Sequence, residues 1–297
     1  MSGLTVSRRP YRGWLVLVLA IMLGVWAIWT GRLSLPAKQP KHVGLVMISH
    51  ALGTVDGVTY TNSREAFTES IHRGFQWFEV DLVETADGQL VACHALGPLQ
   101  RELGSAARIV EMTHRQYMSA RLYRRYTPLD LSAILDLVER HPEIRLILDV
   151  KNSANRTQGE DLTHAPDVFQ RIHRKLWAVL KNHPPGVIAR LYPQIYAPAD
   201  AAMLRRETGY AQWIFTTYRF GGSDRDIMAA VVDDPKIVAV AFEKRRFRRP
   251  LTQWLRAQGR GVWVFVVNGA EEADAFSFLG ANGFYTDFLP ADFGASP

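Results

Sequence analysis

Short apolar runs punctuated by turn residues recur along most of the chain, and between them lie stretches with helical spacing. The runs at 43–49, 76–82, 89–94, 145–151, 187–192, 213–217, 237–242, 261–267 and 283–286 have the length and bounds of buried strands. Helical spacing appears at 62–73, 129–139, 167–181, 199–207, 224–232, 250–258 and 271–279. In the first of these, Ala66, Phe67, Ser70 and Ile71 share a face and Gly74 ends it as a C-cap would. Asp87-Gly88 suits a hairpin-like turn between 76–82 and 89–94. The alternation predicts about eight strands, paired in parallel through helical crossovers. Pattern alone leaves a closed barrel and an open doubly wound sheet both standing.

Length narrows the choice. Residues 42–297 number 256, close to the roughly 250 of one (β/α)8 TIM barrel. The expected organisation is a cytoplasmic N-terminus (1–12), a transmembrane anchor (13–30), a linker (31–41) and one catalytic domain (42–297). Residues 13–30 (GWLVLVLAIMLGVWAIWT) are 18 positions without a charge, near the ~20 that span a bilayer core. Trp14, Trp26 and Trp29 lie towards its ends, and Arg8, Arg9 and Arg12 before it favour an inside N-terminus. A cleaved signal peptide is the rival, but no small-x-small site follows the run. Either way the domain is expected outside the cytoplasm.

The net charge of +6 partly reflects this N-terminus. The run Lys244-Arg245-Arg246-Phe247-Arg248-Arg249 reads as a solvated face, or one near anionic lipid headgroups. No aromatic platform accompanies it, so no nucleic-acid partner is expected, and no protein partner is predicted. The single cysteine, Cys93, excludes an internal disulfide and is expected to be a small buried hydrophobe. No glycine-rich phosphate loop is present.

The candidate chemistry lies in the strands. Positions i and i+2 of a strand share a face, so Glu79 projects with Asp81, and Asp149 with Lys151. Three carboxylates inside a core are costly without compensation, which points to a hard divalent cation with oxygen ligands. His50 and His94 each end an apolar run beside them.

These residues resemble a known family. His50-Ala51-Leu52-Gly53, Tyr60-Thr61-Asn62-Ser63-Arg64-Glu65-Ala66-Phe67, Glu79-Val80-Asp81, Thr85-Ala86-Asp87-Gly88 and Cys93-His94 look like the glycerophosphodiester phosphodiesterases. The family order is a strand-end HRG, an ENT opening a helix, an ExD strand, T-x-DG and a strand-end HD. Val267-Asn268 and Thr286-Asp287-Phe288 are similar to its closing V-N and T-D-F. The resemblance implies a TIM barrel that hydrolyses phosphodiesters with one Mg2+ or Ca2+. It makes Glu79, Asp81 and Asp149 metal ligands, His50 and His94 the acid/base pair, and Lys151 a cation facing the phosphate. The partner implied is a small phosphodiester or lipid headgroup. Four departures stand out: Ala51-Leu52 for the Arg of HRG, Thr61 for the Glu of ENT, Ala95 after the second histidine, and Asp149 for the usual Glu. An Asp followed two residues later by Lys also resembles the sphingomyelinase-D-type phospholipases.

The site chemistry is coherent on its own terms, because an anionic diester with a poor leaving group needs charge neutralisation and two proton transfers. Two rivals are carried forward: a phospholipase that closes a cyclic phosphate, and a catalytically silent barrel binding an anionic surface ligand. Asn62 is expected to cap its helix, with a substrate contact second; Asp56 reads as a loop residue and Asp287 as barrel-closing. His42, His72, His114, His141, His164, His173 and His183 are expected to be structural or exposed.

Overall fold

A computed structural model describes residues 44–94, 99–151 and 165–294. The anchor, linker and cytoplasmic segments expected before residue 42 lie outside them, as do His42, Ala95 and His164. Among the described residues no helix is long and apolar enough to cross a membrane.

The strands are β1 (Val46–Ser49), β2 (Trp77–Glu84), β3 (Leu90–Ala92), β4 (Arg145–Val150), β5 (Leu191–Ile195), β6 (Trp213–Thr216), β7 (Ile237–Glu243), β8 (Gly261–Phe265) and β9 (Gly283–Thr286). Eight of them pair in parallel in the circuit β1-β9-β8-β7-β6-β5-β4-β2, and β2 pairs back to β1. That last pairing decides between closed and open: the sheet is a barrel. β3 is the exception, antiparallel to the end of β2 through Leu82↔Ala92 and Glu84↔Leu90. The Asp87-Gly88 turn thus makes a true hairpin, tied by Thr85 N–H donating to the Gln89 carbonyl at 2.9 Å.

Period-2 alternation sorts β2 and β4 into two faces. Phe78, Val80 and Leu82, with Leu146, Leu148 and Val150, point outward into the layer under the helices. Each large side chain there contributes about 1.5–3 kcal/mol by leaving water, so Phe78→Ala would cost about 3–5 kcal/mol. Inside the barrel, Ile48, Ile147, Ile214, Trp263 and Tyr285 fill the core. Above this apolar plug the same inward columns of β2 and β4 carry Glu79, Asp81, Asp149 and Lys151. Cys93 is buried in a third cluster with Val91, Tyr117 and Leu122, as its size suggests.

Two elements differ from expectation. The apolar stretch after 187 begins as a helical turn, Pro185–Ile188, because Pro185 sits at its first position with φ already set for helix. The strand starts later, at Leu191, and continues through Pro193 to Ile195. The helix Arg64–His72 is capped by Ser63, whose hydroxyl accepts from Ala66 N–H at 3.2 Å, and not by Asn62.

Candidate active site

Register assembles the site. Asp81 and Asp149 are opposed partners on β2 and β4. Ser49 is opposite Phe78 on one side and Thr286 on the other, so the next residues, His50, Glu79 and Asp287, meet at the strand ends. His50 and Asp287 follow the C-terminal ends of β1 and β9, while Glu79 lies at the same level within the longer β2, at the face of the barrel where side chains from different strands converge.

Immediately after His50 the chain turns through left-handed backbone at Ala51 (φ 49°), Leu52 (φ 63°) and Gly53 (φ 114°). Such a conformation costs a non-glycine residue about 1–3 kcal/mol. A Cβ on Gly53 would come within 1.9 Å of Ser70 Oγ, so only glycine fits there. The turn aims the Ala51 N–H at Glu79 Oε2, 2.8 Å away.

Ligand atoms of Glu79, Asp81 and Asp149 all lie within 4.8 Å of one another, and all three residues are buried. Lys151 Nζ bridges two of them, 2.8 Å from Asp81 Oδ1 and 2.7 Å from Asp149 Oδ2. Burial, then Asp81 and Asp149, push the Glu79 carboxyl well above the usual carboxylate range. Burial also opposes ionisation of Asp81, but Lys151, His94 and His50 outweigh it and hold that group low. Asp149 is held low in the same way by Lys151 and Arg219. Glu79 Oε1 is buried and accepts no hydrogen bond.

His50 is fixed from behind: its Nδ1 lies 3.0 Å from Asp287 Oδ1, and its Nε2 is 3.9 Å from Glu79 Oε2. Asp287 in turn receives Asn268 Nδ2 at 2.9 Å. Burial works against the charge on Asp287, yet the His50 hydrogen bond keeps its carboxyl below the usual range. His94 reaches solvent at its outer edge, but protein crowding its inner side pushes its pKa down, and Lys151 adds to this against the pull of Asp81. The Tyr60 ring lies between the two imidazoles, 4.9 Å from His50 and 4.5 Å from His94.

Together these groups line one side of a cavity of about 290 Å3. His50, His94, Glu79, Asp149 and Lys151 all face it, while Asp81 lies behind them against Lys151. Asn62 does not face it. Its amide is spent on Asp81: Nδ2 donates to Oδ2 at 2.7 Å, and Oδ1 accepts the Asp81 N–H at 3.1 Å. The capping role expected for Asn62 is thus replaced by a clamp on a carboxylate.

The glycerophosphoryl diester phosphodiesterase family model matches residues 53–291. The chain belongs to this family. Family membership makes the protein a phosphodiesterase. The barrel is similar to a glycerophosphodiester phosphodiesterase of Parabacteroides distasonis, with TM-score 0.65 and 15% identity over 84% of this chain and 95% of that one. A Thermotoga maritima glycerophosphodiester phosphodiesterase aligns with TM-score 0.62 and 15% identity over 82% and 94%. An Oleispira antarctica phosphodiesterase, solved with the product sn-glycerol-3-phosphate, gives TM-score 0.62 and 15% identity over 83% and 94%. No curated protein matches the chain.

As a member of this family the chain is divergent, and its departures have visible consequences. Thr61, in the place of the ENT glutamate, pairs its hydroxyl with Ser63 at 2.9 Å and brings no charge. Several site residues were not singled out from sequence. The Tyr196 hydroxyl donates to Asp149 Oδ1, and the Tyr218 hydroxyl lies 3.4 Å from Oδ2. The Arg219 guanidinium stacks on both rings, 4.4 and 4.8 Å from their centroids. For Asp287 and Asn268 the closing V-N and T-D-F similarity was the available signal; for Tyr196, Tyr218 and Arg219 there was only their position after β5 and β6.

Proposed function

We propose that the protein hydrolyses a small glycerophosphodiester-type substrate with the help of one divalent cation held by Glu79, Asp81 and Asp149. The observation that carries this reading is the charge balance beside the histidines. With all three buried carboxylates ionised, one ammonium, Lys151, leaves a formal excess of two negative charges, which matches a divalent ion, and the raised pKa of Glu79 marks the cost of that charge without one. The unpartnered Glu79 Oε1 fits the same donor set. Oxygen ligands of this kind suit Mg2+ or Ca2+, and such an ion supplies Lewis-acid stabilisation of charge on the phosphoryl oxygens.

The protein's own groups handle the protons. His94, whose lowered pKa favours the neutral ring, takes a proton from the attacking water. The water oxygen bonds to phosphorus as the bond to the leaving alcohol oxygen breaks, and His50 gives that oxygen a proton. Asp287 fixes the His50 ring by binding Nδ1 and is its counterion when it is protonated. Lys151 moves part of its charge to the phosphate as a point charge without a fork.

A cavity of about 290 Å3 sits just below the ~300–1,000 Å3 typical of small-molecule sites, which favours a deacylated phosphodiester over an intact lipid. The apolar run 13–30 supports anchoring of this domain on the outer side of a membrane. One observation favours a second reading: Lys151 already bridges Asp81 and Asp149, as it would in a silent barrel. Hydrolysis of a glycerophosphodiester panel by the full chain, with and without chelator, separates the two. Metal-dependent release of free phosphomonoester and alcohol supports the proposal; no turnover with any metal sinks it, and a cyclic phosphate product would point to intramolecular attack.

A further inference from the structure

The catalytic groups occupy only half of the barrel mouth. In the strand circuit, β7 is four strands from β2 in either direction, directly across from Glu79 and Asp81. At its C-terminal end stands Glu243, half-buried and facing the same cavity. Its register partner on β8 is Phe265. The Phe265 ring packs against Tyr218 at 5.8 Å and Tyr285 at 6.0 Å, so an aromatic wall adjoins the carboxylate.

The basic run that follows Glu243 forms no ion pair with it among the described residues. Lys244 Nζ pairs with Glu272 at 2.7 Å. Arg246 donates to the Phe220 and Gly222 carbonyls, and Arg248 to the Arg245 carbonyl at 2.6 Å. No hydrogen bond or ion pair engages the Glu243 side chain among the described residues. A carboxylate in a site for an anionic diester repels the phosphate, so it belongs beside the other end of the substrate. Beside aromatic faces, the group it would attract is a cation, which gains from both the charge and the rings.

We infer that Glu243 is a specificity-determining residue that, with the Tyr218–Phe265 wall, selects a phosphodiester whose alcohol carries a positively charged amine. This deepens the proposed function and rests on it. The catalytic half then takes the phosphate and the β7–β8 half the ammonium arm, with the substrate's dipole aligned across the mouth.

The test is steady-state kinetics of the full chain on three diesters: glycerophosphoethanolamine (cationic arm), glycerophosphoglycerol (neutral polyol arm) and bis(p-nitrophenyl) phosphate (no donors). Wild type should prefer the cationic arm. Glu243→Gln, which keeps an acceptor but removes the charge, should lower kcat/KM for that substrate about tenfold, mainly through KM, and leave the other two unchanged. Glu243→Lys should reverse the preference. Equal losses on all three substrates, or a loss confined to the polyol, would overturn the inference while leaving the hydrolase intact. A wild type that cleaves none of the three would remove the proposed function and this inference with it.

Discussion

His50 Nδ1 and Asp287 Oδ1 meet at 3.0 Å across 237 positions of sequence, joining the first strand of the barrel to the last. The contact ties the two strand ends together and orients the candidate catalytic ring at once, since it leaves Nε2 directed at Glu79 and the cavity. Asp287→Ala should therefore lower kcat about 100-fold or more, with little change in KM. A variant that keeps wild-type kcat would show that His50 needs no such support.

Lys151 is the only ammonium bonded to the carboxylate cluster among the described residues, and its removal exposes the cost of that cluster. Lys151→Met should destabilise the metal-free protein by about 3–5 kcal/mol, because it leaves buried charges uncompensated. Added Mg2+ or Ca2+ should restore part of the lost Tm by binding the folded state. Thermal melts with and without each ion check this; an unchanged Tm in the metal-free variant would contradict it.

In the proposed mechanism the lowered pKa of His94 sets the acid side of the pH profile. As the proposed base, His94 works only when neutral, so kcat/KM should rise with pH through a value below the ordinary 6.5. His94→Asn should abolish that limb along with most of the activity. An acid limb above 6.5 in the wild type would assign it to another group.

His173 gives a separate handle on stability. It is fully buried in the helix Pro166–Leu180 against Phe169, 4.2 Å between ring centroids, and neither ring nitrogen has a partner. Burial pushes its pKa down to about 3. The unfolded chain binds a proton near 6.5 that the folded chain refuses, so stability is full above 6.5 and declines as pH falls towards 3. His173→Leu should flatten the dependence in that window and stabilise by about 1 kcal/mol at neutral pH. Denaturant melts across pH 4–7 would show it; an identical pH slope in the variant would contradict the assignment.

The parts of this site legible in the sequence were those close together on one strand. Glu79-x-Asp81 and Asp149-x-Lys151 declare their shared faces through the two-residue period, and flanking Phe78, Val80, Leu148 and Val150 declare the opposite face. Contacts made only by closure were not legible. Nothing local in Tyr196 or Tyr218 says that their hydroxyls reach Asp149. Asn62 and Ser63 are both capping residue types, and sequence cannot tell which turns inward. The left-handed backbone of Asn62, φ 49°, swings it to Asp81 and leaves the cap to Ser63. The shift of β5 has a similar origin: Pro193 looks like a strand breaker, yet the strand runs through it.

The central claim is that the three buried carboxylates hold a divalent cation that phosphodiester hydrolysis requires. Its most direct test strips the full chain with chelator, then titrates Mg2+ or Ca2+ while following both heat of binding and glycerophosphodiester cleavage, wild type against Glu79→Gln. Saturable binding that restores cleavage in the wild type, with both lost in the variant, is the predicted result. Cleavage that survives chelation, or metal binding unchanged by Glu79→Gln, would contradict it.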